Sequence, residues 1–346
     1  MRKNIESFQN FSRAAQHICV KPAVIIIVSL LLFTVMCGFG EAQSSVKKRV
    51  FYVAMSLGRG GLGDRSFNDA AYTGLQKAQK QYGIRFDTVP FTSAERTIEE
   101  LSDFAFRGYD LIVGIGFENA PVIETMSKKF PDSRFAIIDS AVTGGNVASF
   151  VFREQEGDFL MGVLAAMLSK SRKVGFISGV DFEIIRRIEH GFKQGVAYQD
   201  GGVEVFSDLA GTFVDPASGK SLALAQYKAG ADIIYNAAGR TGLGIIEAAR
   251  ETGKFVIGTS GDQRYLAPGH VIGNRPKRVD TAVLLVIEGI LNKAFSPGIH
   301  SLGLKEEGLT LGPFDTNIVT VAMQKKLDTL KQQIIIGKIK VAVPQE

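Results

Sequence analysis

Residues 50–69 read VFYVAMSLGRGGLGDRSFND, which is an apolar run, a glycine-rich turn and the start of a more polar segment. The run VFYVAMS has the composition of a buried strand, because β-branched and aromatic residues favour extended backbone. The glycines allow a tight turn after that strand at little steric cost. A strand that leads through a tight turn into a helix is the repeating unit of α/β folds, so this stretch predicts the class of the whole chain.

The same succession of strand and helix recurs along the chain. Short runs rich in Val, Ile and Phe alternate with longer segments of helical periodicity, which predicts parallel sheets flanked by helices. A helix that begins near 156 and ends near 168 is apolar on nearly all sides and is expected to be buried. The predicted strands are 50–56, 85–89, 111–115, 135–138, 149–152, 173–177, 203–206, 232–235 and 255–258.

The number of residues indicates two lobes. About 300 residues follow position 42, more than a typical single core contains. The strand pattern restarts near 148–152 with no proline-rich linker. We expect lobe 1 to comprise 47–146 and about 264–316, and lobe 2 to comprise 147–263 and about 317–346. A cleft between two such lobes is a usual place for a small ligand.

The first 42 residues have the layout of an export signal. Four basic residues precede a nearly continuous apolar run at 23–39, and Gly40-Glu41-Ala42 offers small residues at the two positions that determine cleavage. A run of this length is at the short end of what spans a bilayer, so an uncleaved membrane anchor is the alternative. In both cases the rest of the chain is expected to be exported.

The positions of the cysteines limit the chemistry. The chain has two cysteines, Cys19 and Cys37, and both lie in the first 42 residues. Cys37 ends an apolar leader, where lipoproteins are acylated, although Met36 stands where such sites usually have a small residue. We therefore expect either a leader cut after Ala42 or a lipid anchor at Cys37. A chain cut after Ala42 has no thiol for catalysis or for a disulfide.

Charge and histidine spacing disfavour several classes of function. Beyond residue 42 the chain has 36 basic and 33 acidic residues, which is not the balance of a nucleic-acid-binding protein. His190, His270 and His300 lie far apart, and the sequence has neither a G-x-S-x-G motif nor an H-E-x-x-H pair. No cluster has the spacing of metal ligands. We expect no nucleic-acid partner, no metal, no cofactor and no catalytic residues.

The pattern G-x-G-x-x-G at 58–63 has several interpretations. A dinucleotide-binding turn would lie between strand and helix as this one does, but Asp64 would repel a phosphate and no acidic residue ends the second strand. A P-loop would need Lys and Ser or Thr where Asp64 and Arg65 stand. What remains is a plain tight turn, or a turn that presents Phe67 and Asn68 to a ligand.

Eight short motifs resemble, in order, those of one known family. DRSFN at 64–68 is similar to the D-K-S-F-N motif of the basic membrane protein family, the nucleoside-type substrate-binding lipoproteins of bacterial ABC transporters. The similarity extends over nearly the whole chain beyond the leader, which makes the glycine pattern coincidental. The other matching segments are GIGF at 114–117, FAIID at 135–139, FREQEG at 152–157, VGFISG at 174–179, GTFVDP at 211–216, AAGRTG at 237–242 and KRVD at 277–280.

The resemblance implies the two-lobed α/β fold of type I periplasmic binding proteins, with a cleft that closes over its ligand by a hinge. In that arrangement Phe67 and Tyr235 would hold a planar base between their rings. Asp139 would contact the ligand from the carboxyl end of a strand. The residues that the resemblance places at the ligand are Phe67, Asn68, Gly116, Asp139, Tyr235, Gly239, Ser260, Asp262 and Lys277.

Two positions depart from the family pattern. Gly58 and Ser260 stand where the family has ligand-binding aspartates, so acceptors for ribose hydroxyls or a base N–H are missing. The resemblance still implies capture of a purine nucleoside, or a similar planar small molecule, by a monomeric, non-enzymatic protein.

The implied partner is an ABC permease, and the implied place is the periplasm or the outer side of the cytoplasmic membrane. Two alternatives belong to other classes. One is an exported nucleoside hydrolase, for which Glu154 and Glu156 are the available paired carboxylates, although we interpret them as a strand-to-helix corner. The other is a surface or sensor lipoprotein without a role in transport.

Overall fold

Two parallel β-sheets, each flanked by helices, form the fold. The computed structural model describes residues 49–259 and 261–344. The expected leader at 1–42, with Cys19 and Cys37, and the predicted ligand contact Ser260 lie outside the described residues. Within the described part, the alternation of strand and helix confirms the predicted α/β class.

The first sheet has six parallel strands. They are β1 (Tyr52–Ser56), β2 (Arg85–Val89), β3 (Leu111–Ile115), β4 (Phe135–Ile138), β5 (Val147–Phe152) and β11 (Gly298–Leu302), in the order β11-β5-β4-β3-β1-β2. The three strands β1, β3 and β4 are almost entirely buried, because helices cover both faces of a parallel sheet.

The second sheet has five parallel strands. They are β6 (Lys173–Ser178), β7 (Glu204–Leu209), β8 (Ile233–Ala237), β9 (Phe255–Gly258) and β10 (Val271–Asn274), in the order β10-β9-β8-β6-β7. The α-helices of the described residues are α1 (Phe67–Tyr82), α2 (Ala94–Phe106), α3 (Ala120–Lys129), α4 (Glu154–Leu168), α5 (Glu183–Gln199), α6 (Pro216–Lys228), α7 (Gly242–Thr252), α8 (Val279–Leu291) and α9 (Val321–Ile335).

Sheet membership differs from the predicted lobe ranges at two strands. Strand β5 pairs with β4 and belongs to the first sheet, and β10 pairs with β9 and belongs to the second. The chain therefore leaves the first sheet after residue 152 rather than before it. A hydrophobic pattern locates a strand but does not say which of two sheets it joins. The division into two lobes stays a prediction.

Helix α4 is buried along most of its length, as its sequence predicts. It packs against α5 so closely that glycines are required at the contact. A Cβ atom built on Gly195 would lie 1.8 Å from the carbonyl oxygen of Phe159, and one built on Gly162 would lie 2.0 Å from that of Phe192. Among the described residues, no helix is long and apolar enough to cross a membrane.

Candidate functional site

A cavity lies where the carboxyl ends of the two sets of strands face each other. It has an empty volume of about 930 Å³, including its opening. Its wall is built from segments that follow strands of both sheets, which is where parallel sheets bind ligands. Four phenylalanines line it: Phe67, Phe117, Phe182 and Phe213.

The glycine-rich turn after β1 is held by the side chains that follow it. The Asp64 carboxylate accepts the backbone N–H groups of Ser66 (2.8 Å) and Asn68 (2.9 Å) at the start of α1. The Asn68 amide bridges the turn: its Oδ1 accepts the N–H of Gly58 (2.7 Å), and its Nδ2 donates to Asp64 (3.0 Å). Asp64 thus occupies the donors that a phosphate would need at this helix N-terminus.

Lys277 is the centre of a buried charge network on the cavity wall. Its Nζ donates to Asp139 Oδ1 (2.7 Å) and to Glu154 Oε1 (2.9 Å). The other oxygen of Glu154 lies 3.2 Å from Nη1 of Arg187. The Lys277 ammonium also lies 5.7 Å from the ring centre of Phe67. Such a network fixes the position of both the ammonium and the carboxylates.

The titration behaviour of this network follows from burial and charge. Burial disfavours the charged form of Glu154, but the cations Lys277 and Arg187 outweigh it and hold the pKa of Glu154 below its ordinary value. Burial raises the pKa of Asp139, with Lys277 opposing the rise. Burial acts to lower the pKa of Lys277, but its two carboxylate neighbours raise it above the ordinary value. Lys277 is therefore a cation.

Asp139 stands in a strained backbone position at the end of β4. Its φ angle is +70°, a left-handed conformation that is uncommon for a residue other than glycine. Its N–H donates to the carbonyl of Phe150 (2.8 Å), which holds the backbone there. The strain directs a carboxylate to the cavity at the carboxyl edge of the sheet.

Glu118 adds a carboxylate beside the glycine-rich turn. It lines the cavity, and burial raises its pKa despite hydrogen bonds from the backbone and the charge of Arg59. A Cβ atom built on Gly116 would lie 2.8 Å from Glu118 Oε2 and 3.8 Å from the Cα of Gly58. Gly116 therefore leaves space that the Glu118 side chain approaches.

A second charged cluster is completely buried. Nε of Arg275 donates to Asp158 Oδ1 (2.8 Å), and Nη2 lies 2.6 Å from the same oxygen. The Tyr235 hydroxyl also donates to Asp158 Oδ1. Burial raises the pKa of Asp158 to about 6, although Arg275 opposes the rise. Arg275 is part of the cavity wall.

Three contacts join the loops of the first sheet to those of the second. The rings of Phe117 and Phe182 stack with centres 4.0 Å apart and planes 19° apart. Arg240 Nη2 donates to the carbonyl of Leu62 (3.0 Å). Nε2 of Gln263 donates to the carbonyl of Arg65 (2.9 Å). These contacts hold the two sides of the cavity together.

Charge at the cavity is nearly balanced. Among the described residues that line it or form an ion pair with a lining residue, four are cationic and five are anionic. The cavity therefore offers many polar contacts without a large net charge. These residues are Arg59, Arg240, Arg275 and Lys277, and Asp64, Glu118, Asp139, Glu154 and Asp158.

Comparison with known proteins agrees with this geometry. A family model described as ABC transporter substrate-binding protein PnrA-like, the Bmp family, matches residues 51–345. The chain belongs to this family. This confirms the family predicted from the motifs.

The sequence similarity to relatives in the Bmp family extends over most of the chain. Basic membrane protein A of Borreliella burgdorferi is 31% identical over 323 residues, which cover 91% of this chain and 93% of that protein. The CD4+ T-cell-stimulating antigen of Listeria monocytogenes is 33% identical over 320 residues, 84% of this chain and 88% of that protein. An ABC transporter solute-binding protein from Aeropyrum pernix has a TM-score of 0.79 at 30% identity, covering 86% of this chain and 94% of its own.

The family establishes the coarse function. Bmp proteins are exported substrate-binding proteins of ABC transporters, which bind a small molecule and a permease. The structural neighbours also confirm the predicted fold of type I periplasmic binding proteins.

Six of the nine predicted ligand contacts line the cavity of this Bmp protein. The fold brings these six residues to one cavity, although they are spread over more than 200 positions of the sequence. The residues are Phe67, Asn68, Gly116, Asp139, Gly239 and Lys277.

Two other predicted contacts, Tyr235 and Asp262, are not on the cavity wall. Tyr235 is fully buried: its ring stacks on Phe192, with centres 4.8 Å apart, and its hydroxyl binds Asp158. Its side chain does not face Phe67 across the cavity, because alternate residues of β8 point to opposite faces of the sheet. Asp262 is exposed and pairs with Arg264 (2.9 Å). Ser260 lies outside the described residues.

Several wall residues were not predicted from sequence. Glu154 was interpreted as part of a strand-to-helix corner; in the structure it opens α4 but is buried and paired with Lys277. One signal was available, because Glu154 and Asp158 are carboxylates four positions apart in a helix that is apolar from Phe159 onward. Phe117 and Phe213 lie in the matching segments 114–117 and 211–216 but were not singled out, and Phe182 gave no such signal. Within residues 49–259 and 261–344, no group of three or more His, Cys, Asp or Glu could hold a metal ion.

Proposed function

We propose that this protein captures a purine nucleoside, or a similar planar small molecule, in the cavity and delivers it to an ABC permease. The observation that carries the proposal is the composition of the wall. Aromatic rings from both sheets flank a set of buried donors and acceptors whose charges nearly balance. A flat, polar and uncharged molecule matches such a wall.

The base would stack between Phe67 and Phe213. Phe67 opens α1 beside the first sheet, and Phe213 follows β7 of the second sheet. The Phe213 ring packs flat against glycine backbone: a Cβ atom on Gly179 would lie 2.2 Å from its Cδ1. Stacking of rings is worth roughly 0.5–1.5 kcal/mol per pair beyond the area that it buries. Phe213 replaces Tyr235 as the second ring in this proposal.

The polar groups of the wall would bind the sugar and the base edge. Asp139 and Lys277 present an acceptor and a donor beside Phe67. Glu118 would accept from ribose hydroxyls, since it lines the cavity and its Oε2 approaches the space beside Gly116. A buried carboxylate that accepts two hydroxyl hydrogen bonds discriminates strongly between ligands, because removal of one partner leaves it unsatisfied.

The balance of charge favours a nucleoside over a nucleotide. A phosphate group would bring about two negative charges to a wall where Arg275 and Lys277 are already paired with carboxylates. At the α1 N-terminus, Asp64 would repel it. We therefore propose that the ligand carries no net charge.

We propose that the protein encloses its ligand by a hinge motion of two lobes, one around each sheet. The contacts Phe117–Phe182, Arg240–Leu62 and Gln263–Arg65 support a closed state, because each joins one side of the cavity to the other. Each of these contacts is made by a loop and can break when the lobes move apart.

For the N-terminal region we propose export by residues 1–42, with either cleavage after Ala42 or acylation at Cys37. The basic and apolar order of this segment supports the proposal. Incorporation of a radiolabelled fatty acid that is lost in Cys37→Ser would support the lipid anchor. Unlabelled protein with an N-terminus at residue 43 would support cleavage.

The proposal is tested by calorimetric titration of protein that has been unfolded, stripped of ligand and refolded. Adenosine, guanosine, inosine, the free bases and the 5′-monophosphates form the panel. We expect micromolar or tighter binding of at least one nucleoside and much weaker binding of its monophosphate. No binding of any nucleoside would overturn the nucleoside proposal. Release of free base during the titration would favour the hydrolase alternative.

A further inference from the structure

Arg275 is a buried guanidinium whose hydrogen-bonding capacity is mostly unused. It follows β10 directly, and none of its surface is exposed. Its Nε donates to Asp158 Oδ1, and that nitrogen also lies 3.3 Å from the Tyr235 hydroxyl. Its Nη1 and Nη2 have no hydrogen-bond partner among the described residues, since the 2.6 Å approach of Nη2 to Asp158 lacks hydrogen-bond geometry.

Unused donors at a buried guanidinium are costly and need an explanation. A guanidinium carries five N–H donors and no acceptor, and a buried donor without a partner loses its hydration with no compensation. In folded proteins the large majority of buried polar groups have a partner. Arg275 lines the cavity, so a bound ligand can supply acceptors to these donors.

The guanidinium is anchored before any ligand binds. Asp158 and Tyr235 hold its Nε side, and Tyr235 is in turn fixed by stacking on Phe192. Asp158 also balances its charge. Arg275 can therefore offer directed donors to a neutral ligand without requiring an anion.

The chemistry of purines makes this donor set selective. A 6-oxopurine presents two adjacent acceptors, the 6-oxo oxygen and the ring nitrogen at position 7, which match the fork of a guanidinium. A 6-aminopurine presents an amine donor in place of the oxo group, and two donors cannot bond to each other. Resting on the proposed nucleoside function, we infer that Arg275 makes the cavity selective for 6-oxopurine nucleosides, such as guanosine and inosine, over adenosine.

The test is calorimetric titration of the wild type with guanosine, inosine and adenosine. We expect the two oxopurine nucleosides to bind at least about tenfold more tightly than adenosine, since one matched bidentate contact gives that discrimination. Binding of all three with equal affinity overturns the selectivity but keeps the nucleoside function. Binding of none overturns the nucleoside function and the selectivity with it.

Ligand analogues test the same contact without altering the protein. 2-Aminopurine riboside lacks the oxo group of guanosine, and 7-deazaguanosine lacks the acceptor at position 7. Each should bind about tenfold or more weakly than guanosine. Affinities equal to that of guanosine for both analogues would show that Arg275 does not bind this edge.

A pair of variants separates selectivity from structural support. Asp158→Asn/Arg275→Met removes both buried charges together, so no unpaired ion is left. We expect the ratio of guanosine to adenosine affinity to fall to about one, whereas a purely structural role would weaken both ligands equally and keep the ratio. The matched control Asp200→Asn/Arg172→Met removes an exposed ion pair (2.9 Å) away from the cavity and should leave the ratio unchanged. If the double variant Asp158→Asn/Arg275→Met does not fold, the titrations with 2-aminopurine riboside and 7-deazaguanosine test the contact with Arg275 instead.

Discussion

At the scale of the residue, the cavity depends on side chains that are held in place before a ligand arrives. Lys277 is fixed between Asp139 and Glu154, and Asn68 is fixed between Gly58 and Asp64. Pre-ordered groups cost little entropy when they bind, so a modest number of contacts can give useful affinity. Phe67 is the exception, because its half-buried ring stacks on no other aromatic ring among the described residues.

Replacement of that ring should weaken binding without weakening the fold. We expect Phe67→Ala to lower nucleoside affinity by about 10-fold to 100-fold, since loss of a base–aromatic stack costs roughly 1–3 kcal/mol. Calorimetry gives the affinity, and urea unfolding gives the stability. The matched control is Phe106→Ala, whose side chain is on α2 and 75% exposed; it should leave affinity unchanged. Equal affinity of wild type and Phe67→Ala would remove Phe67 from the site.

Asp158 should produce a measurable dependence of stability on pH. Burial raises its pKa from an ordinary 3.8 to about 6, so the folded protein keeps this proton more tightly than the unfolded chain does. The stability that the proton contributes is complete below pH 3.8 and is lost as the pH rises to about 6. Relative to Asp158→Asn, the wild type should lose about 2–3 kcal/mol of unfolding free energy between pH 4 and pH 7.

Urea unfolding of both proteins at the two pH values measures this difference. Asp280→Asn is a control for which we expect the opposite dependence of stability on pH. Burial of Asp280 is outweighed by hydrogen bonds from Arg278 and Lys77, which lower its pKa. Its contribution to stability should therefore be lost as the pH falls. A wild-type advantage over Asp158→Asn that grows with pH would show that Arg275 outweighs burial at this site.

At the scale of the element, glycines in helices determine how closely α4 and α5 pack. Glycine normally weakens a helix, and its replacement by alanine stabilises most exposed helical sites. Here Gly162 and Gly195 face backbone carbonyls of the opposite helix. Helix α4 carries Glu154 and Asp158 to the cavity, so the close packing also positions two buried carboxylates.

An alanine at position 195 should therefore destabilise the protein despite its higher helix propensity. Its Cβ would lie 1.8 Å from the carbonyl oxygen of Phe159, so the helices must separate. We expect Gly195→Ala to lower the free energy of unfolding by about 1–3 kcal/mol or more. Gly145→Ala is the control, because a Cβ atom there meets nothing within 4 Å. An unchanged or raised stability of Gly195→Ala would contradict this packing.

Most elements could be predicted from the sequence, because apolar runs and helical periodicity are local signals. Strands 85–89, 111–115, 135–138 and 255–258 have the predicted bounds. Strands β10 and β11 were missed, since both are short and contain glycine or polar residues. Of the site, several residues within family motifs were found, whereas Arg275, Phe182 and Phe213 were not, although Phe213 lies in the matching segment 211–216. Their positions at the cavity depend on which strand ends lie side by side, and that is a property of the folded sheets.

At the scale of the whole molecule, loops make contacts between the two sides of the cavity. Of these contacts, the Phe117–Phe182 stack is the one between two aromatic side chains. It would have to separate for a ligand to leave. We therefore expect the stack to control the rate at which a ligand leaves the cavity more than the rate at which it enters.

Loss of the stack should speed dissociation. We expect Phe182→Ala to raise the dissociation rate of a bound nucleoside by several-fold, measured by stopped-flow displacement. Phe117→Ala should have the same effect, and the double variant should add little, because either change removes the same contact. Additive effects of the two changes would mean that each ring contacts the ligand separately.

The most direct test of the central claim is a crystal structure of the protein with guanosine. We expect the base between Phe67 and Phe213, its 6-oxo group at Arg275 and its ribose hydroxyls at Glu118. Guanosine bound outside the cavity would contradict the account, as would a cavity that stays empty at saturating guanosine.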